Sequence, residues 1–184
     1  MSSLTDVSHA PSLPSLTLLL DSAEKTLAFG ERVGHILKGG DVLALTGELG
    51  VGKTLMTRGI ALGLGIPAEQ VNSPTFTLIQ AYVNDSCIPV IHADLYRLEN
   101  PSAITQLGLE DYLTPQNIVI VEWADRFLQI FPSDYLVIHM EHGKTETLRH
   151  LTAKSTGPRS AHIVTTLKHS PLENHSASQP SSNG

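Results

Sequence analysis

Residues 46–54 read TGELGVGKT and fit the pattern Gly-x-x-x-x-Gly-Lys-[Ser/Thr] at every fixed position. The preceding residues 41–45 read DVLAL, a run typical of a strand, and Leu55, Ile60 and Leu64 follow at helical spacing. A glycine-rich loop between a strand and a helix turns its backbone N–H groups inward, and the helix N-terminus adds partial positive charge there. The stretch therefore predicts a site for the phosphates of a nucleotide.

Two side chains at the end of this loop carry the predicted chemistry. Lys53 is expected to reach the β- and γ-phosphates. Thr54 offers a hydroxyl to Mg²⁺, which takes few protein ligands beside phosphate oxygens and waters. The alternative is a glycine-rich turn that binds nothing, and the Lys-Thr pair in register with a strand and a helix disfavours it.

The composition sets broad limits on function. The 184 residues suit one domain, and 41% of them are hydrophobic, which is ordinary for a globular protein. The formal net charge is -6, from 12 Lys and Arg against 18 Asp and Glu, so the chain has no general basic field for RNA or an anionic membrane. A role in RNA chemistry is therefore expected to be indirect, through partner proteins, and no membrane contact is expected.

Cysteine usage and hydropathy predict the compartment. Cys87 is the single cysteine and cannot form an internal disulfide, so we interpret it as a small buried hydrophobic residue. The N-terminus lacks a basic region followed by an apolar stretch, and no apolar run approaches the ~18 residues of a membrane span. A cytoplasmic location is expected.

The hydrophobic pattern predicts one α/β domain between two irregular segments. Residues 1–15 are expected to form a flexible N-terminal arm, because they are rich in Ser and Pro and lack periodicity. Residues 155–184 are expected to form a disordered C-terminal tail, with at most one weak element at 163–167. Between them, residues 16–154 alternate strand-like and helix-like patterns and form the predicted domain.

The first half of this domain contains a predicted helix and a predicted hairpin. Residues 16–20 read as a short strand, and a helix capped by Asp21 is expected to run to about Lys38. Residues 75–83 and 88–93 read as two antiparallel strands joined by a turn at Asn84-Asp85-Ser86. Pro101 marks the start of a further short helix.

The second half predicts how the sheet is built. Residues 118–121 read IVIV, the continuous apolar run of a parallel strand covered on both faces. Residues 135–140 and 146–153 read as an antiparallel hairpin that extends the sheet. The predicted fold is a central parallel sheet with added antiparallel strands and flanking helices.

Two carboxylates follow predicted strands, where open α/β sheets bind ligands. Asp94 follows one strand and Glu122 another, so both are expected to converge on the phosphate loop. We assign Asp94 to the metal and Glu122 to orienting or deprotonating the attacking water, and these two assignments are interchangeable. The alternative is that each is a solvated residue at a strand end.

Three further residues lie near the predicted site. Thr75 is the candidate for a switch hydroxyl that senses γ-phosphate and Mg²⁺, with a β-branched residue opening a strand as the alternative. His92 is interpreted as a histidine of the core or a strand end rather than as a catalytic base. Trp123 is compatible with the core, with stacking on a ligand or with a partner surface.

Four blocks of sequence are distinctive as a set, and they are GELGVGKT at 47–54, SPTF at 73–76, HADLYRL at 92–98 and EW at 122–123. Taken together they resemble the TsaE (YjeE) family of bacterial tRNA threonylcarbamoyladenosine biosynthesis ATPases, and the likeness covers about 16–153. The resemblance implies a P-loop NTPase-like fold and Mg²⁺-dependent ATP hydrolysis that supports a complex with TsaD and TsaB. In that family the complex places a threonylcarbamoyl group on the adenosine next to the anticodon, in tRNAs reading codons that begin with A. TsaE does not itself make the transfer.

The resemblance also implies roles for individual residues. Lys53 and Glu122 match the residues needed for hydrolysis, and the metal-associated residues match Thr54, Asp94 and Glu122. Val51, Leu55 and Ala93 depart from the usual family residues without removing a proposed ligand. The implied nucleotide-binding residues are Glu48, Leu49, Gly50, Val51, Gly52, Lys53, Thr54, Leu55, Thr75 and Trp123.

Two other functions are compatible with a phosphate loop. A small-molecule P-loop kinase needs an acceptor pocket and usually an arginine-bearing lid, and here Arg58, Arg97 and Arg126 are scattered. A nucleotide-gated binding module would recruit a partner in its occupied state, with hydrolysis incidental. A GTPase is disfavoured because no guanine-reading Asn/Thr-Lys-x-Asp motif is found. The roles of His92 and Tyr96 are open, as is that of Arg97.

Overall fold

The computed structural model describes residues 12–83 and 88–169. Cys87 and the predicted turn at 84–86 lie outside the described residues, as do 1–11 of the predicted arm and 170–184 of the predicted tail. Within the described ranges, none of the helices has the length and hydropathy needed to cross a membrane.

The described residues form one seven-stranded sheet in the order β1-β7-β6-β2-β5-β4-β3. Its strands are β1 (Ser15–Leu20), β2 (Val42–Gly47), β3 (Ile79–Tyr82), β4 (Val90–Asp94), β5 (Ile118–Glu122), β6 (Leu136–His142) and β7 (Arg149–Ser155). The four central strands β6, β2, β5 and β4 are mutually parallel. Strands β7 and β1 extend the sheet antiparallel on one side, and β3 pairs antiparallel with β4 on the other. The predicted sheet is confirmed, as is the antiparallel pairing of the strands in both predicted hairpins.

Helices cover both faces of the sheet, and they are α1 (Ala23–Gly34), α2 (Lys53–Gly63), α3 (Pro101–Leu107) and α4 (Pro158–His169). Short 3-10 turns lie at Ala68–Gln70, Leu109–Tyr112, Ala124–Arg126 and Leu128–Ile130. One core cluster joins a face of the sheet to α1, α2 and α4. A second core cluster joins the other face to α3 and the 3-10 turns that follow β5. Strand β5 is buried throughout, as its continuous apolar run predicts.

Helices α1 and α2 pack with their backbones in close approach. A Cβ atom would collide with the backbone of the opposite helix at four glycines, and these are Gly30, Gly34, Gly59 and Gly63. Because glycine lacks Cβ, the two helices can lie this close. The contact fixes helix α2, and with it the loop that precedes the helix.

Helix α1 differs from the prediction at both ends. Its N-cap is Ser22, whose hydroxyl accepts a hydrogen bond from Lys25 N at 3.2 Å, so the predicted Asp21 cap is wrong. Asp21 instead accepts from Lys25 Nζ at 2.7 Å on the surface. The helix ends at Gly34 rather than near Lys38, and the chain turns there through hydrogen bonds from Ile36 N to Val33 O and from Leu37 N to Gly34 O.

The predicted strand at 75–83 is also shorter than expected. Only Ile79–Tyr82 is a strand, and the residues before it form a turn in which Leu78 N donates to Pro74 O at 2.6 Å. Leu78 has a φ of 66°, a left-handed value that bulky residues rarely adopt. The hydrogen bonds that hold this turn against Asp94 therefore outweigh the strand propensity of the segment.

The prediction of a disordered tail from 155 is wrong for the residues that form α4. Four side chains of this helix are buried against the sheet and α1, and they are Ser160, Ile163, Val164 and Leu167. Arg159 binds the buried carboxylate of Asp41 through two hydrogen bonds of 2.9 and 2.7 Å, and Arg32 donates to Leu167 O at 2.9 Å.

Asp134 caps the start of α4. Its carboxylate accepts hydrogen bonds from Arg159 N at 2.6 Å and Ser160 N at 2.9 Å. Burial acts to raise the pKa of Asp134, but the hydrogen bonds from Ser160 and Arg159 outweigh burial, and the pKa is lowered. The helix therefore depends on a charged cap from the loop before β6.

Candidate active site at the ends of the parallel strands

A cleft of about 390 Å³ opens at the carboxyl ends of β2, β5 and β4. In the sheet register Glu122 is paired with Asp94 on one side and with Leu45 on the other, so both carboxylates lie beside the loop that follows β2. The cleft is lined by Leu49, Gly50, Gly52, Lys53, Thr54, Leu55, Ser73, Thr75, Asp94, Tyr96, Glu122 and Trp123. The convergence predicted for the carboxylates is thus present.

The loop between β2 and α2 has backbone angles that its glycines allow. Gly50 and Gly52 have φ values of 74° and 110°, both in the left-handed region that favours glycine. A Cβ on Gly50 would meet nothing within 4 Å, so this part of the loop faces open space. Arg149 supports the loop from behind, since its Nε donates to Val51 O at 2.9 Å.

Two of the predicted loop residues contribute through their backbone. Val51 is 1% exposed and its side chain belongs to the core on the α1 and α2 face. Glu48 lies outside the lining of the cleft, but its carbonyl oxygen accepts a hydrogen bond from Lys53 Nζ at 2.8 Å. The larger residue at position 51 therefore faces away from the cleft.

Lys53 lies at the bottom of the cleft. It is 5% exposed, and its Nζ donates to Gly47 O at 2.7 Å and to Glu48 O at 2.8 Å. Burial lowers the pKa of its ammonium group, and attraction to Glu122, Asp94 and Asp125 opposes this shift. Nζ is also 3.7 Å from the centroid of the Trp123 ring, a cation–π contact.

Glu122 is 2% exposed and receives hydrogen bonds from two elements. Oε2 accepts from Thr54 Oγ1 at 3.0 Å, and Oε1 accepts from Thr57 Oγ1 at 3.3 Å. Oε1 also lies 2.8 Å from His92 Nε2 on β4. Both carboxylate oxygens of Glu122 are thus held by neighbouring side chains.

Asp94 is held by the turn that replaces the predicted strand. Oδ2 accepts from Ser73 Oγ at 2.6 Å and from Thr75 Oγ1 at 2.8 Å, while Oδ1 accepts from Tyr96 N at 2.9 Å. Asp94 is 2% exposed, and all three partners lie at the cleft or next to it. The candidate switch hydroxyl and the candidate metal carboxylate are therefore in direct contact.

Trp123 forms one wall of the cleft, which excludes an entirely core position. Its φ of 60° is left-handed, and the backbone there leaves β5 for the 3-10 turn at Ala124–Arg126. The ring packs on Tyr96 with centroids 4.8 Å apart. Arg126 donates to Tyr96 O at 3.3 Å, whereas Arg97 lies over the exposed ring of Phe76 at 4.3 Å.

The cleft offers oxygen ligands but no complete metal cage. Within the described ranges, no group of three or more His, Cys, Asp or Glu is positioned to hold a metal ion. Thr54, Glu122 and Asp94 supply a hydroxyl and two carboxylates along one side of the cleft. A hard cation that takes most of its ligands from phosphates and water fits this arrangement. A cation that needs all of its ligands from the protein does not.

A second cleft, which the sequence reasoning missed, adjoins the first. Its volume is about 310 Å³, and it shares Gly50, Gly52 and Leu55 with the first cleft. The other lining residues come from the start of α1, the phosphate loop and the β6–β7 region, and they are Ser22, Ala23, Thr26, Val51, Glu146, Thr147 and Arg149. No local motif joins these segments, since only the sheet order brings them together.

Known proteins are similar to this chain in sequence and in architecture. A family model described as "Threonylcarbamoyl adenosine biosynthesis protein TsaE" matches residues 20–151. The tRNA threonylcarbamoyladenosine biosynthesis protein TsaE of Bacillus subtilis (strain 168) is 41% identical over 136 residues, which cover 74% of this chain and 83% of that protein. The protein of the same name from Nostoc sp. (strain PCC 7120) is 40% identical over 131 residues, or 68% of this chain and 78% of that protein. The crystal structure of YdiB from Bacillus subtilis matches with a TM-score of 0.72 at 31% identity, over 87% of this chain and 98% of that chain.

Proposed function

Because the chain belongs to the TsaE family of threonylcarbamoyl adenosine biosynthesis proteins, we propose that it binds ATP and Mg²⁺ in the first cleft and hydrolyses the ATP. Its activity supports threonylcarbamoyl modification of the adenosine next to the anticodon, in tRNAs reading codons that begin with A. The chain acts in the cytoplasm with TsaD-like and TsaB-like proteins, which make the transfer, and it meets tRNA only through that complex.

The contact between Thr54 and Glu122 is the observation that carries this proposal. It joins the first turn of α2 to the end of β5, with an O–O distance of 3.0 Å. Because the Thr54 hydroxyl gives its hydrogen to the carboxylate, its oxygen lone pairs are available to a cation in the cleft. A hydroxyl and a carboxylate linked in this way, beside a loop lysine, suit a metal–triphosphate complex better than they suit a purely structural turn.

Lys53, the backbone of the loop and Trp123 each have a defined task in this proposal. Lys53 binds the β- and γ-phosphates as a point charge, and the backbone N–H groups of the loop and of the start of α2 bind phosphate oxygens. When bound, Mg²⁺ supplies neutralisation of the charge on the β- and γ-phosphate oxygens. Trp123 limits the access of water to the ammonium of Lys53, since their contact distance is 3.7 Å.

The hydrogen bonds favour one division of labour between the two carboxylates. Glu122 is bonded to Thr54, so we place it beside the metal, and it also orients the water that attacks the γ-phosphate. Asp94 is bonded to Ser73 and Thr75, so we place it where the turn of the switch segment reports on the γ-phosphate and the metal. This division makes greater use of Glu122 at the metal than the sequence alone suggests.

We assign the nucleoside half of ATP to the second cleft. The phosphate loop separates the two clefts, and Gly50, Gly52 and Leu55 line both. A nucleotide whose phosphates lie against the loop in the first cleft can continue across it into the second. There the side chains of Glu146 and Thr147 offer polar contacts to a ribose or a base.

The proposal is tested by reconstitution with purified TsaD-like and TsaB-like proteins. We expect the chain to associate with them in a nucleotide-dependent way, and to be required for threonylcarbamoyl transfer to tRNA. Lys53→Met is expected to abolish ATP turnover and the transfer that depends on it, with Lys154→Met, an exposed lysine on β7, as the matched control. If the chain fails to associate with the TsaD-like and TsaB-like proteins in the presence of ATP, in the presence of ADP and in the absence of nucleotide, the proposal is contradicted.

A further inference from the structure

His92 is a fully buried polar side chain with half of its hydrogen-bonding capacity unused. Its exposed fraction is 0%, and Nε2 lies 2.8 Å from Glu122 Oε1. Nδ1 is buried and has no hydrogen-bond partner within the described residues. A buried polar atom without a partner destabilises a fold, so an apolar residue would serve the core better at this position.

The surroundings of His92 fix the direction of its ring. His92 and Asp94 are two residues apart on β4, so both side chains leave the same face of the sheet as Glu122 on the neighbouring strand. The His92 ring also stacks on Tyr82, with centroids 6.3 Å apart and planes inclined by 30°. These contacts direct Nε2 to the carboxylate of Glu122, which lines the cleft, whereas His92 itself is not part of the lining.

We propose that His92 is a positioning residue for hydrolysis, which donates Nε2–H to Glu122 Oε1 and thereby keeps Oε2 directed at Thr54. The inference rests on the proposed ATPase function. A carboxylate accepts hydrogen bonds, so this proposal assigns the hydrogen to Nε2, and in the neutral ring Nδ1 is then an unpaired acceptor. The unpaired Nδ1 destabilises the fold, and its presence is explained if the orientation of Glu122 limits the rate of ATP hydrolysis.

Without the donor on His92, Glu122 keeps only hydroxyl donors from α2. Thr57 is a weak substitute, because its hydroxyl lies 3.3 Å from Oε1 and also 3.2 Å from Lys53 O. The carboxylate then has freedom to turn away from Thr54. We therefore expect the loss of His92 to affect the rate of hydrolysis and to leave the binding of ATP largely intact.

Two substitutions separate the donor from the volume of the ring. H92F keeps a buried ring and removes the donor, whereas H92Q provides a side-chain N–H at about the reach of Nε2. His150 is an exposed histidine on β7, and H150F is the matched control. Phosphate release is measured on the full chain with its partner proteins present, ATP affinity by the fluorescence of Trp123, and thermal stability by circular dichroism.

We expect H92F to lower kcat about 10- to 100-fold, the usual effect of losing a residue that orients a ligand or catalytic group. ATP affinity should stay within about twofold of the wild type, and H92Q should recover most of kcat. Equal kcat in H92F and the wild type would overturn the inference. Equal losses in H92F and H92Q, accompanied by equal losses of thermal stability, would overturn it too, because packing alone would then explain them.

A spectroscopic measurement keeps the inference separate from the proposed function. In ¹⁵N-labelled wild-type protein, the His92 imidazole is expected to be the Nε2–H tautomer, and its Nε2 signal should shift in E122Q. Observation of the Nδ1–H tautomer would overturn the inference even if H92F does not fold. A wild-type chain that shows the expected Nε2–H tautomer but neither binds nor hydrolyses ATP would contradict the proposed function instead.

Discussion

Lys53→Met removes the charge that the account places against the nucleotide phosphates. The methionine keeps much of the apolar stem of a residue that is 5% exposed, so the neighbouring core remains filled. In the native site Nζ is held by two carbonyl oxygens at 2.7 and 2.8 Å, which fixes the ammonium before a ligand arrives. The substitution therefore removes a fixed cation rather than a flexible one.

The expected loss of affinity follows from the strength of a charged contact. A hydrogen bond to a charged group contributes about 1.5–3 kcal/mol, and every 1.4 kcal/mol or so is a tenfold change in Kd. Losing one such contact to a phosphate oxygen thus weakens ATP binding about 10- to 150-fold, and losing two weakens it further. Burial lowers the pKa of Lys53 and attraction to Glu122, Asp94 and Asp125 opposes this shift, so a bound phosphate, as a further anion, favours the charged form.

Isothermal titration calorimetry with ATP and Mg²⁺ measures this loss. Lys154→Met removes an exposed lysine from β7 and should bind ATP as the wild type does. Circular dichroism verifies that both variants are folded. An ATP Kd for Lys53→Met within about twofold of the wild type would refute the phosphate-loop reasoning, since the charged contact would then contribute almost nothing.

Three further predictions test other parts of the account. Thr75→Val removes the hydroxyl that lies 2.8 Å from Asp94 Oδ2, and we expect the Mg²⁺ concentration for half-maximal hydrolysis to rise about 10-fold; an unchanged Mg²⁺ requirement would remove Thr75 from the site. Thr147→Trp fills the second cleft, so calorimetry should show weaker binding of ATP and unchanged binding of inorganic triphosphate, and equal effects on both ligands would place the nucleoside elsewhere. The pKa of Asp134 is lowered in the folded protein, so its ionised form stabilises the fold above the ordinary aspartate value of about pH 3.9 and this contribution is lost as pH falls through the folded pKa. Asp134→Asn should consequently lower the Tm at pH 7 and differ less from the wild type near pH 3, and a Tm difference that does not vary with pH would contradict the role of the charge.

The parts predicted best from the sequence are those with local and repetitive signals. The loop at 46–54 has a fixed pattern between a strand and a helix, and the apolar run of β5 indicates a buried parallel strand. The carboxylates Asp94 and Glu122 were found because both follow strands, and parallel strands place their carboxyl ends at one edge. The predicted family and fold class are confirmed.

The parts that were missed depend on contacts between distant segments. The β-formers at 75–78 form a turn because Asp94 binds the hydroxyls of Ser73 and Thr75, a tertiary interaction that exceeds local strand propensity. Helix α4 has a polar sequence with few apolar positions, and it is held by Asp134 and by the ion pair of Arg159. No local pattern in 158–169 encodes those partners.

The candidate site also contains contacts between distant segments that the sequence does not predict. The sequence predicts that His92 is a histidine of the core or a strand end, and its burial agrees with that prediction. Its hydrogen bond to Glu122 was not predicted, because residues that are adjacent across two strands share no signal along the chain. The sequence does not predict the second cleft for the same reason, since Ser22 and Arg149 both line it but lie far apart along the chain.

Phosphate release by the wild type and by Glu122→Gln, measured with the TsaD-like and TsaB-like proteins present, shows whether Glu122 takes part in the hydrolysis of ATP. Glutamine keeps the volume of the side chain but replaces one acceptor oxygen with a donor, next to the hydroxyl of Thr54 and the Nε2 of His92. Glu141→Gln, on the exposed end of β6, is the matched control. The account predicts a loss of at least about 100-fold in kcat for Glu122→Gln with ATP binding retained. Phosphate release equal to that of the wild type would contradict it.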